Sequence, residues 1–268
     1  MYNCVENTDF RGKSCSVCGI GISNYPLIDF LLSRGASVVA RDRKSEAELS
    51  CAAALRGRGV ELRCGEDYLD DIEEDYIFRA PGIRYDVPGF VRAVERGSIL
   101  TSEMQLFFEL CPCRIIGITG SDGKTTTTTL ISKILEAAGC RVFVGGNIGR
   151  PLLPELGNMT ENDYAVVELS SFQLHTMTLS PDIAVVTNIS PNHLNYHKGM
   201  EEYIAAKENI FTHMRPGGRL VLNAENDYTR DMANRAAEGT DLLFFGKDGD
   251  ICERDGYITS GGKRILRC

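Results

Sequence analysis

The chain has 268 residues, 43% hydrophobic and 25% charged, which suits one or two globular domains and excludes a disordered chain. The formal net charge is −8 and no run of five or more Lys or Arg occurs, which argues against a protein that binds nucleic acid. The ten cysteines predict reduced thiols in a soluble, cytoplasmic chain, because residues 1–10 lack the pattern of a signal peptide and no apolar run is long enough to span a membrane.

The first hundred residues alternate strand-like and helix-like patterns. Five runs have the composition of strands, at residues 14–20, 36–42, 60–65, 75–83 and 98–100. Three stretches with helical spacing of apolar residues lie between them, at residues 25–35, 45–59 and 87–97. These repeats predict an α/β fold with a Rossmann-like parallel sheet covered by helices.

A glycine-rich turn follows the first predicted strand. Gly19-Ile-Gly21-Ile-Ser-Asn24 follows the dinucleotide-binding pattern G-x-G-x-x-G up to its last position, and Asp42 ends the second strand about 20 residues later. The two glycines permit a tight turn beside a phosphate, and an acidic residue at that strand end is able to bind a ribose or a base. Because Asn24 replaces the third glycine, the pattern favours another nucleotide over NAD. A purely structural turn is the alternative.

A further strand, predicted at residues 114–118, is followed by a second glycine-rich loop. The loop TGSDGKT (119–125) has Ile118 where the common phosphate-loop pattern has a glycine, so this loop is shorter than usual. The N–H groups of such a loop and of the following helix attract phosphate oxygens, with Lys124 beside the outer phosphates and the Thr125 hydroxyl beside Mg²⁺. A surface turn is the alternative. The candidate nucleotide-binding residues are Gly120, Ser121, Asp122, Gly123, Lys124, Thr125 and Thr126.

The helix predicted after the loop carries apolar residues at helical spacing and ends at Gly139. We expect this stripe to face the sheet in a P-loop-type α/β domain. Its members are Leu130, Ile131, Ile134 and Leu135.

An acidic residue follows the next apolar strand. Glu168 is the only acid in the run AVVELSSF, at the carboxyl end of a strand predicted within residues 163–175. That edge of a parallel sheet carries ligand sites, so Glu168 is a candidate Mg²⁺ ligand. A solvated carboxylate at a strand end is the alternative.

The segment after a strand at 183–187 contains His193 and His197 in a polar loop, then a helix with Lys207. A lone loop histidine is usually solvated. Lys207 has apolar neighbours on both sides, and a semi-buried lysine loses its charge readily. A neutral lysine can react with CO₂ to form a carbamate able to hold Mg²⁺, whereas a lysine extending to solvent is the alternative.

Two close pairs of cysteines occur in the sequence and raise the question of a metal site. Cys15 and Cys18 lie inside a predicted strand, and Cys111 and Cys113 have the wrong spacing for a zinc knuckle. Both pairs are therefore predicted to be structural thiols.

Four segments together resemble the Mur ligases of peptidoglycan synthesis, whose phosphate loop is of the short T-G-x-x-G-K-[ST] kind. They are GITGSDGKTTTT, GGNIGRP, ELSSFQL and NISPNHLNYHKGMEEYIAAKENIF. The string ELSSFQL is typical of the branch that adds D-glutamate. The resemblance implies a UDP-binding Rossmann-like domain at 1–112, a central ATP-binding domain at 113–268, and a monomer. It also implies that D-glutamate is joined to UDP-N-acetylmuramoyl-L-alanine with ATP, through an acyl phosphate.

The resemblance also assigns roles residue by residue. It implies that Lys124 and Thr125 bind the phosphates of ATP, that Thr125 and Glu168 hold one Mg²⁺, and that His193 and a carbamylated Lys207 hold a second. Lys124, His193 and Lys207 are the candidate catalytic residues. The implied substrate contacts are Asn147, Ser170 and His193 for the muramoyl part, and Ser23 and Asp42 for the uridine end.

Some features depart from the family pattern. Ala80 replaces a small hydroxyl residue, and Asn192 and Asn195 stand where many relatives have Asp. Members of the family also continue into a third domain that contributes to D-glutamate binding. We expect the chain to lack that domain, and no D-glutamate site is assigned. A catalytically inert module that binds ATP and a UDP-sugar, another Mur-type amide ligase, a kinase and an NAD-dependent oxidoreductase are the alternatives.

Overall fold

The computed structural model describes residues 9–267. Residues 1–8, on which the prediction about a signal peptide rests in part, and two cysteines predicted to be reduced, Cys4 and Cys268, lie outside the described residues. The chain divides into two compact units. The first unit holds the chain up to Leu110 with Arg150–Asn158 and Thr176–Thr178; the second holds Cys111–Gly149, Met159–His175 and the residues from Leu179 onward.

The first unit is a parallel sheet with helices between its strands. The strands are β1 (Ser14–Cys18), β2 (Ser37–Asp42), β3 (Glu61–Cys64), β4 (Tyr76–Arg79) and β5 (Ile99–Thr101). The helices are α1 (Asn24–Ser33), α2 (Ala52–Gly57), α3 (Pro88–Glu95) and α4 (Glu103–Leu110). The strand order β3-β2-β1-β4-β5 places the first strand at the centre, and every pairing is parallel. The α/β prediction is therefore confirmed for this unit.

The buried core of this unit explains why its strands could be predicted from apolar runs in the sequence. Cys18 of β1 and Ile77 of β4 are fully buried against Phe90 of α3. A parallel sheet covered on both faces has nearly continuous apolar strands, which produces the observed runs. Burial raises the pKa of the Cys15 and Cys18 thiols to about 12. Both thiols therefore stay protonated and unreactive at neutral pH, as buried structural cysteines do.

Two helices of the first unit differ from the sequence prediction. The long helix expected at 45–59 is a short 3₁₀ turn, Glu46–Glu48, followed by α2. Ser45 and Glu48 form a capping box around that turn, and Leu49 then takes an extended conformation that interrupts the helix. Helix α4 was missed because most of its side chains are buried, which removes the alternation of polar and apolar residues that marks a helix.

Glu103, at the start of α4, is expected to make the stability of the first unit depend on pH. It is 5% exposed, and burial raises the pKa of its carboxyl from 4.5 to about 7, against a smaller lowering by the backbone of Leu153. Between these two values the unfolded chain loses its proton before the folded chain does, so stability falls as the pH rises. We expect Glu103→Gln to raise the free energy of unfolding near pH 8 by about 3 kcal/mol.

Urea unfolding of the wild-type and Glu103→Gln chains measures this effect. The two chains should differ little near pH 4.5, where the carboxyl is protonated in the folded chain and about half protonated in the unfolded chain. An equal difference near pH 4.5 and near pH 8 would contradict the assignment, because it would point to a packing effect without titration.

The second unit is built on a larger sheet. Its strands are β6 (Arg114–Thr119), β7 (Val142–Gly146), β8 (Tyr164–Glu168), β9 (Ile183–Val186), β10 (Arg219–Asn223), β11 (Asp241–Phe245), β12 (Ile251–Arg254), β13 (Tyr257–Ser260) and β14 (Lys263–Arg267). Its helices are α5 (Lys124–Ala137), α6 (Ser171–Leu174), α7 (Met200–Thr212) and α8 (Asp227–Met232). The order is β14-β13-β12-β11-β10-β9-β6-β8-β7, antiparallel from β12 to β14 and parallel elsewhere. β13 and β14 pair antiparallel as a hairpin.

The predicted apolar stripe of α5 is only half right. Ile131 and Leu135 pack on the sheet, whereas Leu130 is 57% exposed and Ile134 is 66% exposed. The buried positions beside them are Thr128 and Ser132, and the Ser132 hydroxyl donates to the Thr128 carbonyl at 2.7 Å. The Ser132 hydroxyl is thus satisfied within its own helix, and two small side chains occupy buried positions where larger apolar ones were predicted.

None of the helices in the described part of the chain is both long and apolar enough to cross a membrane.

Candidate functional site

The phosphate-type loop joins β6 to α5 at the carboxyl edge of the second sheet. Gly120 has φ +148° and Gly123, the residue that caps α5, has φ +78°. Both values favour glycine, and they let the chain turn sharply into the helix. The free N–H groups at the start of α5 and the helix dipole make this turn attractive to an anion.

The loop is held by the segment that follows β9. The Thr187 hydroxyl donates to the Asp122 carbonyl at 2.6 Å, and the Asn188 side chain bonds to both the N–H and the carbonyl of Asp122 at 3.1 Å. The Ser121 N–H donates to the Asn188 carbonyl at 2.8 Å, and the Ser190 N–H donates to the Ser121 hydroxyl oxygen at 2.9 Å. These bonds fix the loop in one conformation before any ligand arrives.

A side chain at Gly120 would break this arrangement. A Cβ atom there would lie 1.9 Å from the Thr187 hydroxyl oxygen and 3.1 Å from the Asn188 carbonyl oxygen. We expect Gly120→Ala to cost roughly 3 kcal/mol of stability through overpacking and backbone strain. Denaturant unfolding measures this, with Gly157→Ala as the control, because a Cβ at Gly157 meets nothing within 4 Å. Equal stability of the two variants would contradict the geometry.

Glu168 lies at the end of β8, beside the loop. It is 1% exposed, and its carboxylate accepts hydrogen bonds from the Thr125 hydroxyl at 2.7 Å and the Asn147 side-chain amide at 2.9 Å. Gly146 allows the backbone of β8 to approach closely, because a Cβ there would lie 2.2 Å from the Glu168 carbonyl oxygen. The structure therefore brings together three predicted site residues that are far apart in the sequence.

Two lysines converge on the carbonyl oxygen of Gly120. Lys124 Nζ donates to it at 3.0 Å and to the Ser121 carbonyl at 2.9 Å, while Lys207 Nζ donates to it at 2.8 Å and to the Thr119 hydroxyl oxygen at 3.3 Å. Lys207 is 2% exposed. Its Nζ also lies 4.8 Å from the centre of the Tyr203 ring, one helical turn earlier on α7.

The surroundings of Lys207 disfavour its charge. Burial and then the charge of Lys124 lower the pKa of its amine from 10.5 to about 7, while Glu168 acts in the opposite direction. A large share of the amine is therefore neutral near pH 7, the form that reacts with CO₂. The prediction that apolar neighbours bury this lysine matches the structure.

Other predicted residues of the second unit have separate contacts. His193 is exposed in the loop after β9 with φ +54°, and its ring centre lies 4.9 Å from that of Phe172. Ser170 caps α6: its hydroxyl oxygen accepts from the Gln173 N–H at 3.2 Å, and its own N–H donates to the Gln173 side chain at 3.0 Å. Thr126 is exposed on the first turn of α5. The contacts described for His193 and Ser170 do not join them to Glu168 or Lys207.

The candidate residues of the first unit surround the turn after β1. One oxygen of Asp42 accepts from the Ile20 N–H at 2.8 Å, and the other accepts from the Lys44 N–H at 3.0 Å. Asn24, which replaces the third glycine of the dinucleotide pattern, is 3% exposed, and its side chain donates to the Gly19 carbonyl at 2.9 Å. Ser23 precedes α1 and makes no side-chain cap bond. The asparagine thus fastens a turn that a glycine would leave loose.

The cysteine pairs stay apart from any metal-like cluster in residues 9–267. Cys15 and Cys18 are buried in β1, and Cys111 Sγ lies 3.3 Å from Cys113 Sγ. In this part of the chain the His, Cys, Asp and Glu side chains whose ligand atoms converge are His175, His197 and Glu202.

Sequence patterns did not identify the residues that hold the loop. Thr187, Asn188 and Tyr203 contact it from 65 to 82 positions away in the sequence. The signal for Tyr203 was present, since it stands four residues before Lys207 and therefore on the same face of a helix.

Comparison with known proteins gives a family match. The model of the Mur ligase middle domain matches residues 118–265. A curated UDP-N-acetylmuramoylalanine--D-glutamate ligase from Acetivibrio thermocellus is 50% identical over 239 residues, covering 88% of this chain and 51% of the relative. The ligase of the same name from Clostridium novyi is 47% identical over 264 residues, covering 97% of this chain and 57% of the relative. The chain spans about half the length of the curated relatives it matches.

Solved structures show the same fold. The UDP-N-acetylmuramate:L-alanyl-gamma-D-glutamyl-meso-diaminopimelate ligase from Neisseria meningitides matches with a TM-score of 0.60 at 19% identity, over 94% of this chain and 85% of that one. The UDP-N-acetylmuramate-alanine ligase MurC from Thermotoga maritima matches with a TM-score of 0.53 at 23% identity, over 95% of this chain and 59% of that one. At these identities the likeness concerns the fold alone.

Proposed function

This chain belongs to the Mur ligase family, and we propose that it takes part in joining D-glutamate to UDP-N-acetylmuramoyl-L-alanine with ATP, in cytoplasmic peptidoglycan precursor synthesis. Curated relatives with about 50% sequence identity to this chain are named for that activity. The observation that carries the proposal is the 2.7 Å hydrogen bond between Thr125 and Glu168, which sets a hydroxyl and a buried carboxylate beside a preformed phosphate-type loop. We expect the chain to act as a monomer.

The loop fits the phosphates of ATP. The glycine conformations at Gly120 and Gly123 expose main-chain N–H groups at the start of α5, and Lys124 is close enough to contact its carbonyls. In the proposed complex Lys124 exchanges those carbonyls for phosphate oxygens and neutralises their charge. The N–H groups of residues 123–126 bind the remaining oxygens.

The donor set beside the loop fits Mg²⁺, which prefers hard oxygen ligands. Thr125 and Glu168 offer a hydroxyl and a carboxylate that already face each other. We propose that these two residues hold one ion, and that His193 and a carbamate on Lys207 hold a second. When bound, the ions neutralise the charge that develops on the transferred phosphate.

The carbamate proposal rests on the position of Lys207. Its amine is buried next to the loop, within hydrogen-bond distance of the Gly120 carbonyl and the Thr119 hydroxyl. Addition of CO₂ forms an N–C bond and releases one proton from the amine. The product carries a negative charge and two oxygens where the lysine alone offers a cation.

The candidate contacts with the sugar nucleotide and with ATP are assigned by their position in the sequence. We assign the uridine end to residues 1–112, with Ser23 and Asp42 at the turn after β1, and the ATP to residues 113–268. The glycine turn there leaves room for a phosphate, and Asp42 already accepts two backbone N–H groups. Asn147 and Ser170 would contact the muramoyl part. The hydrogen bond from the Asn147 side chain to the Glu168 carboxylate holds Asn147 in place, which supports its proposed role in positioning the muramoyl part.

The proposed reaction has two steps. The L-alanine carboxylate attacks the γ-phosphorus of ATP, forming an acyl phosphate and releasing ADP. The D-glutamate amine then attacks the acyl carbon, the amide bond forms, phosphate leaves and the amine loses a proton. A free carboxylate is a poor electrophile, which is why the first step is needed. Lys124 contributes by neutralising the phosphate charge at the position where it increases.

Two alternatives are kept because the chain spans about half of its curated relatives. One is a module that binds ATP and a UDP-sugar without turnover. The other is a Mur-type ligase that adds a different amino acid.

Phosphate release tests the reaction and separates these alternatives. In the presence of Mg²⁺, we expect the chain to release phosphate from ATP only when UDP-N-acetylmuramoyl-L-alanine and D-glutamate are both present. L-Glutamate, L-lysine and meso-diaminopimelate serve as control acceptors. Equal release with another acceptor would support a different amide ligase, and binding of both nucleotides without release would support the inert module.

A further inference from the structure

Three side chains outside the proposed ATP site converge in the interior of the second unit. His175 follows α6, His197 lies in the loop before α7, and Glu202 is in the first turn of α7. One ligand atom of each residue lies within 4.8 Å of the others. The side chains are 8%, 0% and 18% exposed, so the cluster is buried but has an edge near solvent.

The two imidazoles face opposite oxygens of the carboxylate. His175 Nε2 lies 3.6 Å from Glu202 Oε1, and His197 Nδ1 lies 3.7 Å from Glu202 Oε2. Both separations exceed the usual length of a hydrogen bond, about 2.9 Å. They are close to the separation of about 3.3 Å between two ligands of one tetrahedral zinc ion, given bonds of about 2.0 Å.

A neighbouring hydroxyl orients one of the imidazoles for metal binding. His197 Nε2 lies 3.0 Å from the hydroxyl oxygen of Ser171, the first residue of α6, which is 2% exposed. If Nε2 carries the proton and donates it to Ser171, then Nδ1 has a lone pair directed at Glu202. Metal-binding histidines commonly have this arrangement, in which the second ring nitrogen donates to an oxygen.

Aromatic rings enclose the cluster. Phe172 stacks on His197 with ring centres 5.7 Å apart and an interplanar angle of 23°. Tyr203 packs edge-on against the same imidazole at 5.3 Å, and Tyr196 does so at 5.0 Å. A shell of this kind limits solvent access, which strengthens the attraction between an ion and its ligands.

We propose that His175, His197 and Glu202 form a binding site for a divalent transition-metal ion of the zinc class, with solvent as the fourth ligand. Imidazole nitrogens favour zinc over Mg²⁺, whose preferred ligands are oxygens, so the site would take a different ion from the one at Thr125 and Glu168. Three protein ligands and one open position suit the partial exposure of Glu202.

The ion would fasten the parts of the unit that carry the candidate site. It would join the end of α6, the loop that contains His193, and the start of α7. Tyr203, which packs on His197, also bonds through its hydroxyl to the Ser121 hydroxyl at 2.9 Å. The metal would thus stabilise the phosphate-type loop indirectly, through His197 and Tyr203, without touching the nucleotide.

Metal titration of the full chain tests the proposal. Chelator-treated chain is titrated with Zn²⁺ and, separately, Co²⁺, in excess Mg²⁺. We expect one Zn²⁺ per chain that excess Mg²⁺ does not displace, a rise in the melting temperature, and Co²⁺ absorption typical of tetrahedral nitrogen and oxygen ligands. His175→Gln and Glu202→Gln should lose this ion. Ser171→Ala should weaken its binding about tenfold or more, since it removes the partner of His197.

Matched controls separate this site from other ligands in the chain. His213→Gln changes an exposed histidine outside the cluster and should keep the ion. A Cys111→Ser, Cys113→Ser double variant should also keep it, which removes this thiol pair as an explanation. Circular dichroism of each metal-free variant checks that it folds. The proposal is overturned if the wild-type chain binds no Zn²⁺ in excess Mg²⁺, or if folded His175→Gln binds as much as His213→Gln.

Discussion

Replacement of Lys207 by methionine is expected to stabilise the chain and to abolish phosphoryl transfer at the same time. The unfolded chain keeps the lysine protonated up to about pH 10.5, whereas the folded chain does so only up to about pH 7. The folded chain therefore loses stability as the pH falls from 10.5 to 7. At neutral pH this loss is on the order of 4 kcal/mol.

Methionine has a similar length and no charge, so it avoids that loss. It also gives up the hydrogen bonds to the Gly120 carbonyl and the Thr119 hydroxyl, at about 1 kcal/mol each. We expect Lys207→Met to raise the free energy of unfolding near pH 7 by about 2 kcal/mol. The difference from wild type should shrink and then change sign as the pH rises towards 10.5, because the folded amine is neutral there and the unfolded amine is about half neutral, which leaves mainly the lost hydrogen bonds.

The same substitution removes the proposed carbamate. The rate of phosphate release should fall by roughly a thousandfold, the size expected when a charged group at the reacting phosphate is lost. In ¹³C-bicarbonate buffer, the wild-type chain should show a carbamate resonance that Lys207→Met lacks. Lys133→Met, at a side chain 72% exposed on α5, is the control. A variant that is less stable at every pH, or that keeps the carbamate resonance, would contradict this account.

Replacement of Glu168 by glutamine is expected to remove the Mg²⁺ dependence of nucleotide binding. The amide is the same size as the carboxylate but neutral, and it can accept only one of the two hydrogen bonds from Thr125 and Asn147. We expect the affinity for ADP in the presence of Mg²⁺ to fall about a hundredfold, whereas the affinity without Mg²⁺ should change little.

Calorimetric titration with ADP, with and without Mg²⁺, measures this difference. Glu136→Gln on the exposed side of α5 is the matched control and should behave like the wild-type chain. If Glu168→Gln keeps the full effect of Mg²⁺, then Glu168 is not a ligand of that ion. Its role would then be limited to holding Thr125 and Asn147.

The sequence predicted those parts of the fold in which each strand is covered on both faces. β1 and β4 appear as short apolar runs because neither of their faces meets water, and their bounds agree with the prediction within a few residues. Helix α4 escaped notice for the same physical reason, since burial on most sides leaves no polar stripe. In α5, Thr128 and Ser132 are buried, and the Ser132 hydroxyl bonds to the Thr128 carbonyl within the helix, so polarity was a poor guide to which face is buried.

The candidate site was predictable to the extent that its residues lie in local motifs. The loop at 119–125 and the apolar surroundings of Lys207 are both readable along the chain. The contacts that unite them are not, because they depend on the strand order β9-β6-β8, which brings Thr187 and Glu168 to either side of the loop. The convergence of His175, His197 and Glu202 likewise depends on the packing of α6 against α7, which no spacing in the sequence records.

The most direct test of the central claim is calorimetric titration of the chain with UDP-N-acetylmuramoyl-L-alanine, with UDP-N-acetylglucosamine as the control. The control shares the uridine diphosphate but lacks the lactyl-alanine carboxylate that the reaction activates. We predict that the muramoyl compound binds at least about tenfold more tightly, a difference of about 1.4 kcal/mol. Absence of binding, or equal affinity for the two sugar nucleotides, would contradict the proposed function and leave the loop as a feature of a general nucleotide-binding domain.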